Sequence, residues 1–529
     1  WVAEGVSADM VPAAQSRLGG TRSFWVLYDV AGRPISTVNL TSGESGVGAA
    51  IVPVPITGGV AMGDRLSALD AAFLAFETSN AHMHIGTLAI FEGGPLEQGV
   101  PPEELYEQVL ELLASRIHLV PRFRQKVSFA PFGVVPPEWV DDDRFDLRYH
   151  VRRVALPSPG RESQLFNLVG HIMSRPLDRR KPLWEMYLVE GLQDGRGAII
   201  QKTHHCLVDG ISAVDIGTVT LDFTPETKIG EPEPWDPKPG RSLAERIAEF
   251  TLERVRSPRK ALNTIASLLR SPSDVATAIQ ERAAGISSLF STKGGLVAPP
   301  SPLNVPIGPH RRFVGVRLTL SDFKAVKNAL GGTVNDVVLS VTTGGIRHFY
   351  EVRGITVDDE TFLRALVPVS VRAPDEFLAL GNRVSAMVVS LPIGLADPVQ
   401  RHEHIKAETK DLKESHQAVG AEFLVELSSW APPTLHAMAA RVMGRQRFFN
   451  LTVSNVPGPQ VPLYVLGAKL EEAYPVVPIP EQGALSVGVT SYNGGVYFGL
   501  NADAEALPDV HVVAEGIEKS MMEYLSLAG

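Results

Sequence analysis

The chain has 529 residues, of which 44% are hydrophobic and 20% are charged, a composition typical of a folded globular protein rather than of a disordered or fibrous one. Its formal net charge is -10 and no long basic run is present, so the electrostatic signature of nucleic-acid binding is missing. The single cysteine, Cys206, excludes an intramolecular disulfide and a cysteine-rich zinc or iron–sulfur site.

Residues 1–61 show no clear helical or strand period, whereas an amphipathic helix pattern begins abruptly at Met62. We predict a poorly ordered N-terminal extension or a start-site artefact over 1–61, with a regulatory or targeting arm as the alternative. The longest uncharged stretch, 45–63, is rich in Gly and Pro, so no transmembrane helix is predicted. Because a signal-peptide pattern is also missing, the sequence predicts a cytoplasmic location.

Residues 62–240 are predicted to form a first α/β domain. Ser67 caps a short helix with apolar residues on one side, and the alternation that follows predicts a strand over 83–92. Further helices are predicted over 101–119, 166–173 and 211–223, and strands over 182–192 and 195–205.

Residues 241–307 are predicted to be a linker, because a weakly amphipathic helix is broken by Ser-Pro pairs and followed by a Pro-rich run. Its basic and apolar mixture suits either a connector with a solvated face or an anionic membrane surface. A second α/β domain over 308–529 follows. Its predicted strands are 311–320, 362–371, 386–394 and 448–456, its helices are 321–331 and one from Thr333, and a hairpin over 483–503 turns at Asn493-Gly494.

The most informative residues are His204, His205, Asp209 and Gly210, which form an HHxxxDG motif directly after an apolar strand. Adjacent strand residues point to opposite faces, so only one histidine is expected to face a reaction site. An imidazole titrates near neutral pH, so it can take a proton from an alcohol that attacks a thioester and return one to the departing thiolate. Asp209 is placed to shape the turn or to engage an arginine, and Gly210 permits tight backbone geometry. A satisfied core histidine pair is the structural alternative.

Other kinds of catalytic site are disfavoured. No metal site is predicted, because the motif histidines face apart, no thiolate cluster exists, and His82 and His84 do not supply the missing ligands. The sequence has no GxSxG elbow, no P-loop and no dinucleotide GxGxxG, and the SxxK at 321–324 lacks its usual partners. Cys206 is interpreted as a small buried side chain, so a covalent acyl-enzyme is disfavoured.

Two further polar residues are candidate substrate-binding groups. Asn335 lies in the first turn of its predicted helix, where backbone N–H groups and an amide can bind developing negative charge; helix capping is the alternative. Glu77 follows a short helix, where a negative charge opposes the helix dipole, so it either places the acceptor or is a solvated surface residue. Pro182 and Trp184 are interpreted as packing residues.

The HHxxxDG motif resembles that of the acyltransferases related to chloramphenicol acetyltransferase and to peptide-synthetase condensation domains. Other segments resemble the bacterial wax ester synthase/diacylglycerol acyltransferase family more specifically, and together they cover most of 62–529. These segments are LSALDAAFLAFET and MHIG near the start, Pro182-Leu183-Trp184, Asn335-Asp336, Gly381-Asn382, and TVSNVPGP over 452–459.

The resemblance implies an α/β fold of two chloramphenicol-acetyltransferase-like lobes with the active-site channel between them. It implies that His205 is the general base, that His204 has a supporting role, and that Asp209 organises the loop. Gly210 joins Asn335 and Glu77 among the candidate substrate-binding residues.

The resemblance also implies direct transfer of a long-chain acyl group from acyl-CoA to diacylglycerol, to a fatty alcohol or to both, forming triacylglycerol or wax ester. Coenzyme A enters as a thioester co-substrate, and no cofactor is implied. Because the acceptor is a lipid, we expect peripheral contact with the inner face of the membrane or with lipid droplets. The alternatives are a carrier-protein-dependent condensation or polyketide-associated acyltransferase, and a weakly catalytic lipid-binding paralogue.

Overall fold

The computed structural model of the chain describes residues 23–28, 34–43, 46–50, 65–94, 99–208, 217, 219–256, 297–370, 384–414 and 448–528. These residues divide into two compact units. The first holds the strands that precede residue 60, and the second holds nearly all the described residues from 61 onward.

The first unit contains a three-stranded antiparallel sheet. Its strands are β1 (Ser23–Tyr28), β2 (Pro34–Gly43) and β3 (Gly46–Ala50), in the order β1-β2-β3. No regular element is predicted here from the sequence. The SFWVLY run of β1 is apolar and aromatic, but a short run without alternation does not by itself distinguish a strand from other buried structure.

The second unit combines helices and strands over its whole length. Its helices are α1 (Ala68–Phe76), α2 (Pro102–Arg116), α3 (Leu147–His150), α4 (Glu162–Met173), α5 (Leu243–Arg256), α6 (Leu320–Leu330), α7 (Val334–Val352), α8 (Pro398–Glu414) and α9 (His511–Ala528). Its strands are β4 (His84–Phe91), β5 (Gln125–Ser128), β6 (Glu138–Asp141), β7 (Val151–Ala155), β8 (Trp184–Glu190), β9 (Gly197–His204), β10 (Arg311–Thr319), β11 (Leu363–Ser370), β12 (Val384–Leu391), β13 (Leu451–Pro457), β14 (Tyr464–Val465), β15 (Ala468–Val476), β16 (Leu485–Tyr492) and β17 (Gly495–Asp503). Within the described part of the chain, no helix has the length and apolar character needed to cross a bilayer.

Two six-stranded sheets form the framework of this unit. The first has the order β14-β15-β4-β9-β8-β7, and the second has the order β10-β17-β16-β13-β11-β12. β9 lies between β4 and β8 and runs antiparallel to both, so that its last residue, His204, lies opposite His84 of β4. The strand that leads into the HHxxxDG motif is therefore held from both sides inside the first sheet.

Most elements of the second unit lie close to their predicted bounds. Ser67 caps α1 by accepting a backbone N–H of its first turn, and Thr333 caps α7 in the same way. β16 and β17 form the predicted hairpin, in which Asn493 and Gly494 both have positive φ, as a tight two-residue turn requires. The predicted helix over 211–223 and the linker beyond α5 lie largely outside the described residues.

One pair of strands links the two halves of the chain. β14 and β15 come after β13 in sequence, yet β15 pairs with β4 and so completes the first sheet. The predicted domains over 62–240 and 308–529 therefore share a sheet. Strand alternation does not identify the partner strand, so this exchange is not visible in the sequence pattern.

Three glycines allow β15 to pass closely over the second sheet. Gly315 of β10 lies opposite Gly499 of β17, which in turn lies opposite Gly488 of β16. A Cβ atom at Gly499 would lie 1.9 Å from the carbonyl oxygen of Pro475 in β15, and one at Gly488 would lie 3.0 Å from the same oxygen. The two sheets thus meet where side chains are absent from one of them.

We expect Gly499→Ala to lower the free energy of unfolding by about 3 kcal/mol or more, because its Cβ meets backbone that β4 holds in place rather than a side chain that can move. The midpoint of urea-induced unfolding measures the effect. Gly230→Ala is the matched control, since its Cβ would meet nothing within 4 Å. Equal midpoints for the two variants would contradict the close crossing.

Candidate active site

The HHxxxDG motif begins where β9 ends. His204 is the last residue of β9, and His205 opens a short 3-10 helix over His205–Val208. The His204 N–H donates to the Leu183 carbonyl at 2.9 Å and the His205 N–H donates to the Met83 carbonyl at 2.7 Å. The backbone at both histidines is therefore fixed by neighbouring strands. Asp209 and Gly210 lie outside the described residues.

The two motif histidines occupy different environments. His204 is only 1% exposed, and its Nδ1 accepts a hydrogen bond from the Cys206 N–H at 3.1 Å. In the neutral ring the proton therefore resides on Nε2, which lies 3.6 Å from Oε2 of Glu77. His205 is half-buried, and its ring stacks on Phe73 with 3.9 Å between the ring centroids. The two side chains therefore contact different groups.

Glu77 is the centre of a buried polar cluster. Its side chain is 8% exposed, and its oxygens lie 3.3 Å from His84 Nε2 and 3.8 Å from His82 Nδ1. With His204, three histidines therefore surround one carboxylate. The alternative that Glu77 is a solvated surface residue is wrong, because its side chain is largely buried against His84 of β4 and His204 of β9.

The charge of Glu77 is maintained despite its burial. Burial alone would raise the pKa of this carboxyl, but the facing nitrogens of His204 and His84 hold it well below its usual range. Burial has the opposite effect on a base and lowers the pKa of His84 to about 3. At neutral pH the cluster thus contains a carboxylate beside a neutral His84.

Arg179 supplies the positive charge for this cluster. Its guanidinium contacts Glu77 Oε2 through both Nε and Nη2, and Nη2 also donates to the Leu74 carbonyl at 3.0 Å. The guanidinium therefore satisfies a free carbonyl at the C-terminal end of α1 and offsets the unfavourable position of Glu77 at that end of the helix dipole. Arg179 is not predicted from the sequence, because it follows a loop about a hundred residues after Glu77 and matches no motif.

Trp184 holds β8 in place behind the motif. It is 1% exposed, its Nε1 donates to the Phe123 carbonyl at 2.8 Å, and its ring stacks between His150 at 4.6 Å and Phe123 at 4.7 Å. Its backbone carbonyl bonds to His150 Nδ1 at 2.7 Å. The interpretation of Trp184 as a packing residue is confirmed.

His150 is expected to make the protein less stable in mild acid. Burial lowers the pKa of His150 to about 4, so between about pH 6.5 and 4 the unfolded chain binds a proton that the folded chain does not. The free energy of unfolding should therefore fall as pH decreases through this window, by up to about 1.4 kcal/mol per pH unit from this residue. Urea unfolding at pH 7, 6, 5 and 4 measures the slope.

His150→Asn is the matched variant for this prediction. An asparagine amide can donate to the Trp184 carbonyl in place of Nδ1 but does not titrate, so the slope should become shallower while stability at pH 7 changes little. An unchanged slope in His150→Asn would show that other groups cause the acid sensitivity.

Asn335 lies at the second position of α7, in the second half of the chain. The capping interpretation of Asn335 is wrong, because Thr333 and Asp336 form the capping box. The Oδ1 of Asn335 instead accepts a hydrogen bond from Asn455 Nδ2 at 3.2 Å. Two segments singled out in the sequence, TVNDVVLS and TVSNVPGP, therefore meet here; among the described contacts none joins Asn335 to His205.

A metal site and a cysteine nucleophile receive no support from the described residues. Over the ranges that the structure describes, no group of three or more His, Cys, Asp or Glu side chains has the geometry to hold a metal ion. Cys206 is completely buried, and burial raises the pKa of its thiol well above the usual value. A thiol in that state is a poor nucleophile.

An apolar cavity lies at the opposite end of the first sheet. Phe91, Val109, Ala198 and Leu466 line it, between α2 and the strands. Phe91 of β4 pairs with Gly197 of β9 at this end. His84 and His204 pair at the other end of the same two strands, seven residues or about 24 Å away. This cavity is therefore separate from the histidine site.

The chain is similar to known proteins over nearly all of its second unit. The model of the wax ester synthase/diacylglycerol acyltransferase catalytic domain matches residues 66–338, and the model of the WS/DGAT C-terminal domain matches 380–524. A probable diacylglycerol O-acyltransferase of Mycobacterium tuberculosis, tgs1, is 33% identical over 469 residues, which are 88% of this chain and 96% of that protein. A second, tgs2, is 33% identical over 476 residues, 88% of this chain and 100% of that protein.

Solved structures give the same result. The wax ester synthase/diacylglycerol acyltransferase from Marinobacter aquaeolei VT8 superposes with a TM-score of 0.63 at 28% identity, covering 88% of this chain and 100% of that one. Trichothecene 15-O-acetyltransferase from Fusarium sporotrichioides superposes with a TM-score of 0.54 at 14% identity, covering 89% and 98%. The second similarity concerns the fold alone.

Proposed function

Because the chain belongs to the wax ester synthase/diacylglycerol acyltransferase family, it transfers an acyl group to diacylglycerol or to an alcohol, and we propose that His205 is the general base of this transfer. One observation carries the proposal: of the two motif histidines, His204 is buried in the Glu77 cluster whereas His205 is only half-buried. A base must reach the hydroxyl whose proton it takes, so the lower burial of His205 supports this role.

The acyl donor in this proposal is a long-chain acyl-CoA. The acceptor hydroxyl attacks the thioester carbonyl carbon while His205 takes its proton; the C–S bond then breaks, and the proton passes to the departing CoA thiolate. The products are an ester, either triacylglycerol or a wax ester, and free CoA. The buried, protonated state of Cys206 supports transfer without an acyl-enzyme at that residue.

The neighbouring residues have supporting roles in this proposal. His204 links the motif backbone to Glu77, so Glu77 acts through His204 rather than on the acceptor. Asn335 binds the negative charge that develops on the thioester oxygen. Its Oδ1 already accepts a hydrogen bond from Asn455, so its Nδ2 is the group that donates to that oxygen. Asp209, as a loop organiser, and Gly210, as a substrate-binding residue, keep the roles that the resemblance implies, because both lie outside the described residues.

Product identification with two donors and two acceptors tests the function. Purified protein is incubated with palmitoyl-CoA, or with a palmitoyl-loaded carrier protein, and with diacylglycerol or hexadecanol, and esters are identified by mass spectrometry. We expect ester from palmitoyl-CoA with at least one acceptor. Ester from the carrier-protein donor alone would favour the condensation alternative. Binding of palmitoyl-CoA by folded protein without any ester would favour the lipid-binding paralogue.

Peripheral contact with a membrane or lipid droplet is part of the same proposal. Ile247 and Leu252 on α5 are 41% and 49% exposed, and Phe129 and Val134, near the connection between β5 and β6, are 49% and 48% exposed. Arg246 of α5 donates to backbone carbonyls on both sides of that connection, which places the helix beside it. Exposed apolar side chains on neighbouring elements favour contact with the lipid phase that contains the acceptor.

Vesicle flotation tests this contact. Anionic phospholipid vesicles should carry the wild-type protein upward and should carry an Ile247→Asp, Leu252→Asp variant several-fold less. Val352→Asp, at a 57% exposed position in the second half, is the control. Full activity in a lipid-free fraction at every salt concentration would contradict peripheral association.

A further inference from the structure

Phe73 covers one face of the His205 imidazole. The ring centroids are 3.9 Å apart and the ring planes are inclined by 23°, which is the shortest stacking distance among the described ring pairs. Phe73 belongs to α1, and its side chain packs against the apolar cluster beneath the first sheet. The aromatic ring therefore lies between this core and His205.

Both rings are attached to backbone that is held in place. α1 is fixed at its start by the Ser67 cap and at its end by the Arg179 bond to the Leu74 carbonyl. His205 is fixed by its N–H bond to the Met83 carbonyl at 2.7 Å. Because neither backbone segment is free to slide, the stack is a built contact between two elements.

We propose that Phe73 is a positioning residue for His205, holding the imidazole plane and stabilising the imidazolium that forms when the acceptor proton is taken. The inference rests on the proposed function of His205. In the step concerned, the proton moves from the acceptor oxygen to the imidazole as the C–O bond forms and the C–S bond breaks, and then passes to the thiolate. A cation over an aromatic face is attracted by the ring quadrupole, so the charged imidazole gains more from the stack than the neutral one.

The competing explanation is that Phe73 only fills space against the core. Leucine separates the two roles, because it keeps most of the apolar contact and has no aromatic face. Tyrosine restores the aromatic face at the same position. A packing role predicts that leucine is tolerated, whereas a positioning role predicts that tyrosine is tolerated and leucine is not.

The acidic limb of the pH–rate profile adds a readout that packing does not move. The other titratable groups described on the elements around His205 include Asp70 and Glu77 of the α1 segment, His82 before β4 and His84 on β4, Lys202 and His204 on β9, Cys206 on the 3-10 helix, and Arg179. A Phe73 substitution changes none of these groups. If the aromatic face favours imidazolium, its removal makes His205 easier to deprotonate, so the acidic limb should move to lower pH.

The test compares kcat, KM for palmitoyl-CoA and the pH–rate profile of wild type, Phe73→Leu and Phe73→Tyr. Phe73→Leu should lower kcat roughly tenfold, leave KM within about twofold, and move the acidic limb to lower pH by up to about one unit. Phe73→Tyr should stay within about threefold of wild type. Phe323→Leu is the matched control, because Phe323 is buried in the second half and stacks on Phe498 rather than on a titrating ring; it should leave the acidic limb unchanged.

Three results would overturn the inference: wild-type kcat in Phe73→Leu, a loss of kcat in Phe73→Leu with the acidic limb unmoved, or equal losses in Phe73→Leu and Phe73→Tyr. None of these three results would contradict His205 as the general base, provided that His205→Ala is inactive. A wild-type protein without acceptor-dependent turnover would overturn the proposed function and this inference together.

Discussion

Replacing His205 by alanine is expected to lower kcat by about 10²–10⁴-fold, the usual effect of removing a general base. The loss should appear in kcat more than in KM, because the imidazole acts on a proton in the transition state and does not hold the acyl chain. The side chain is only half-buried and the bond from the His205 N–H to the Met83 carbonyl does not depend on it, so the variant should remain folded. Steady-state rates with palmitoyl-CoA and the preferred acceptor measure the effect.

The matched control for His205→Ala is His404→Ala. His404 lies on α8 with 48% of its side chain exposed and contacts a glutamate one turn away, so its loss should leave kcat within about twofold of wild type. Circular dichroism confirms that both variants are folded. If His205→Ala keeps more than about a tenth of the wild-type kcat, a general base at this position is contradicted.

Replacing Arg179 by alanine is expected to lower the free energy of unfolding by about 3 kcal/mol, because it leaves the Glu77 carboxylate buried without its positive partner. This expected loss of unfolding free energy is at the lower end of the range for breaking a buried ion pair, because the Arg179 side chain is 41% exposed. Displacement of the cluster behind His204 should also lower kcat, by up to about 10²-fold. Urea unfolding and steady-state rates measure the two effects.

The double variant Arg179→Ala, Glu77→Gln makes this prediction specific. A neutral amide at position 77 needs no positive partner, so the double variant should be more stable than Arg179→Ala alone. The coupling between the two substitutions should be on the order of 1 kcal/mol or more. Strictly additive losses would show that Arg179 and Glu77 contribute independently and that the cluster is not held by their charges.

The family, the two-lobed α/β fold and the acyl-transfer reaction were predictable from the sequence, and the comparisons confirm them. Local rules explain the success at particular residues: Thr333 and Ser67 are good caps, and Asn493-Gly494 is a strong hairpin turn. The different surroundings of His204 and His205 do not follow from the strand period alone, because β9 ends at His204 and a 3-10 helix begins at His205.

Contacts between distant segments were not predictable. Glu77 is a surface residue or a buried one depending on whether Arg179 approaches it, and nothing local to either residue reveals that approach. Likewise, β15 alternates like any strand, and its place beside β4 depends on the glycines of the second sheet over which it passes. Phe73 reads as an ordinary apolar helix residue until β9 brings His205 against its ring.

The central claim is direct transfer from an acyl-CoA to a lipid hydroxyl at His205, and the stoichiometry of CoA release tests it most directly. Thiol release from palmitoyl-CoA by the wild-type protein is followed with and without diacylglycerol or hexadecanol, and the ester formed is quantified in the same reaction. We predict release that requires an acceptor and equals the ester formed. A burst of CoA without acceptor, or no release with either acceptor by folded protein, would contradict the claim.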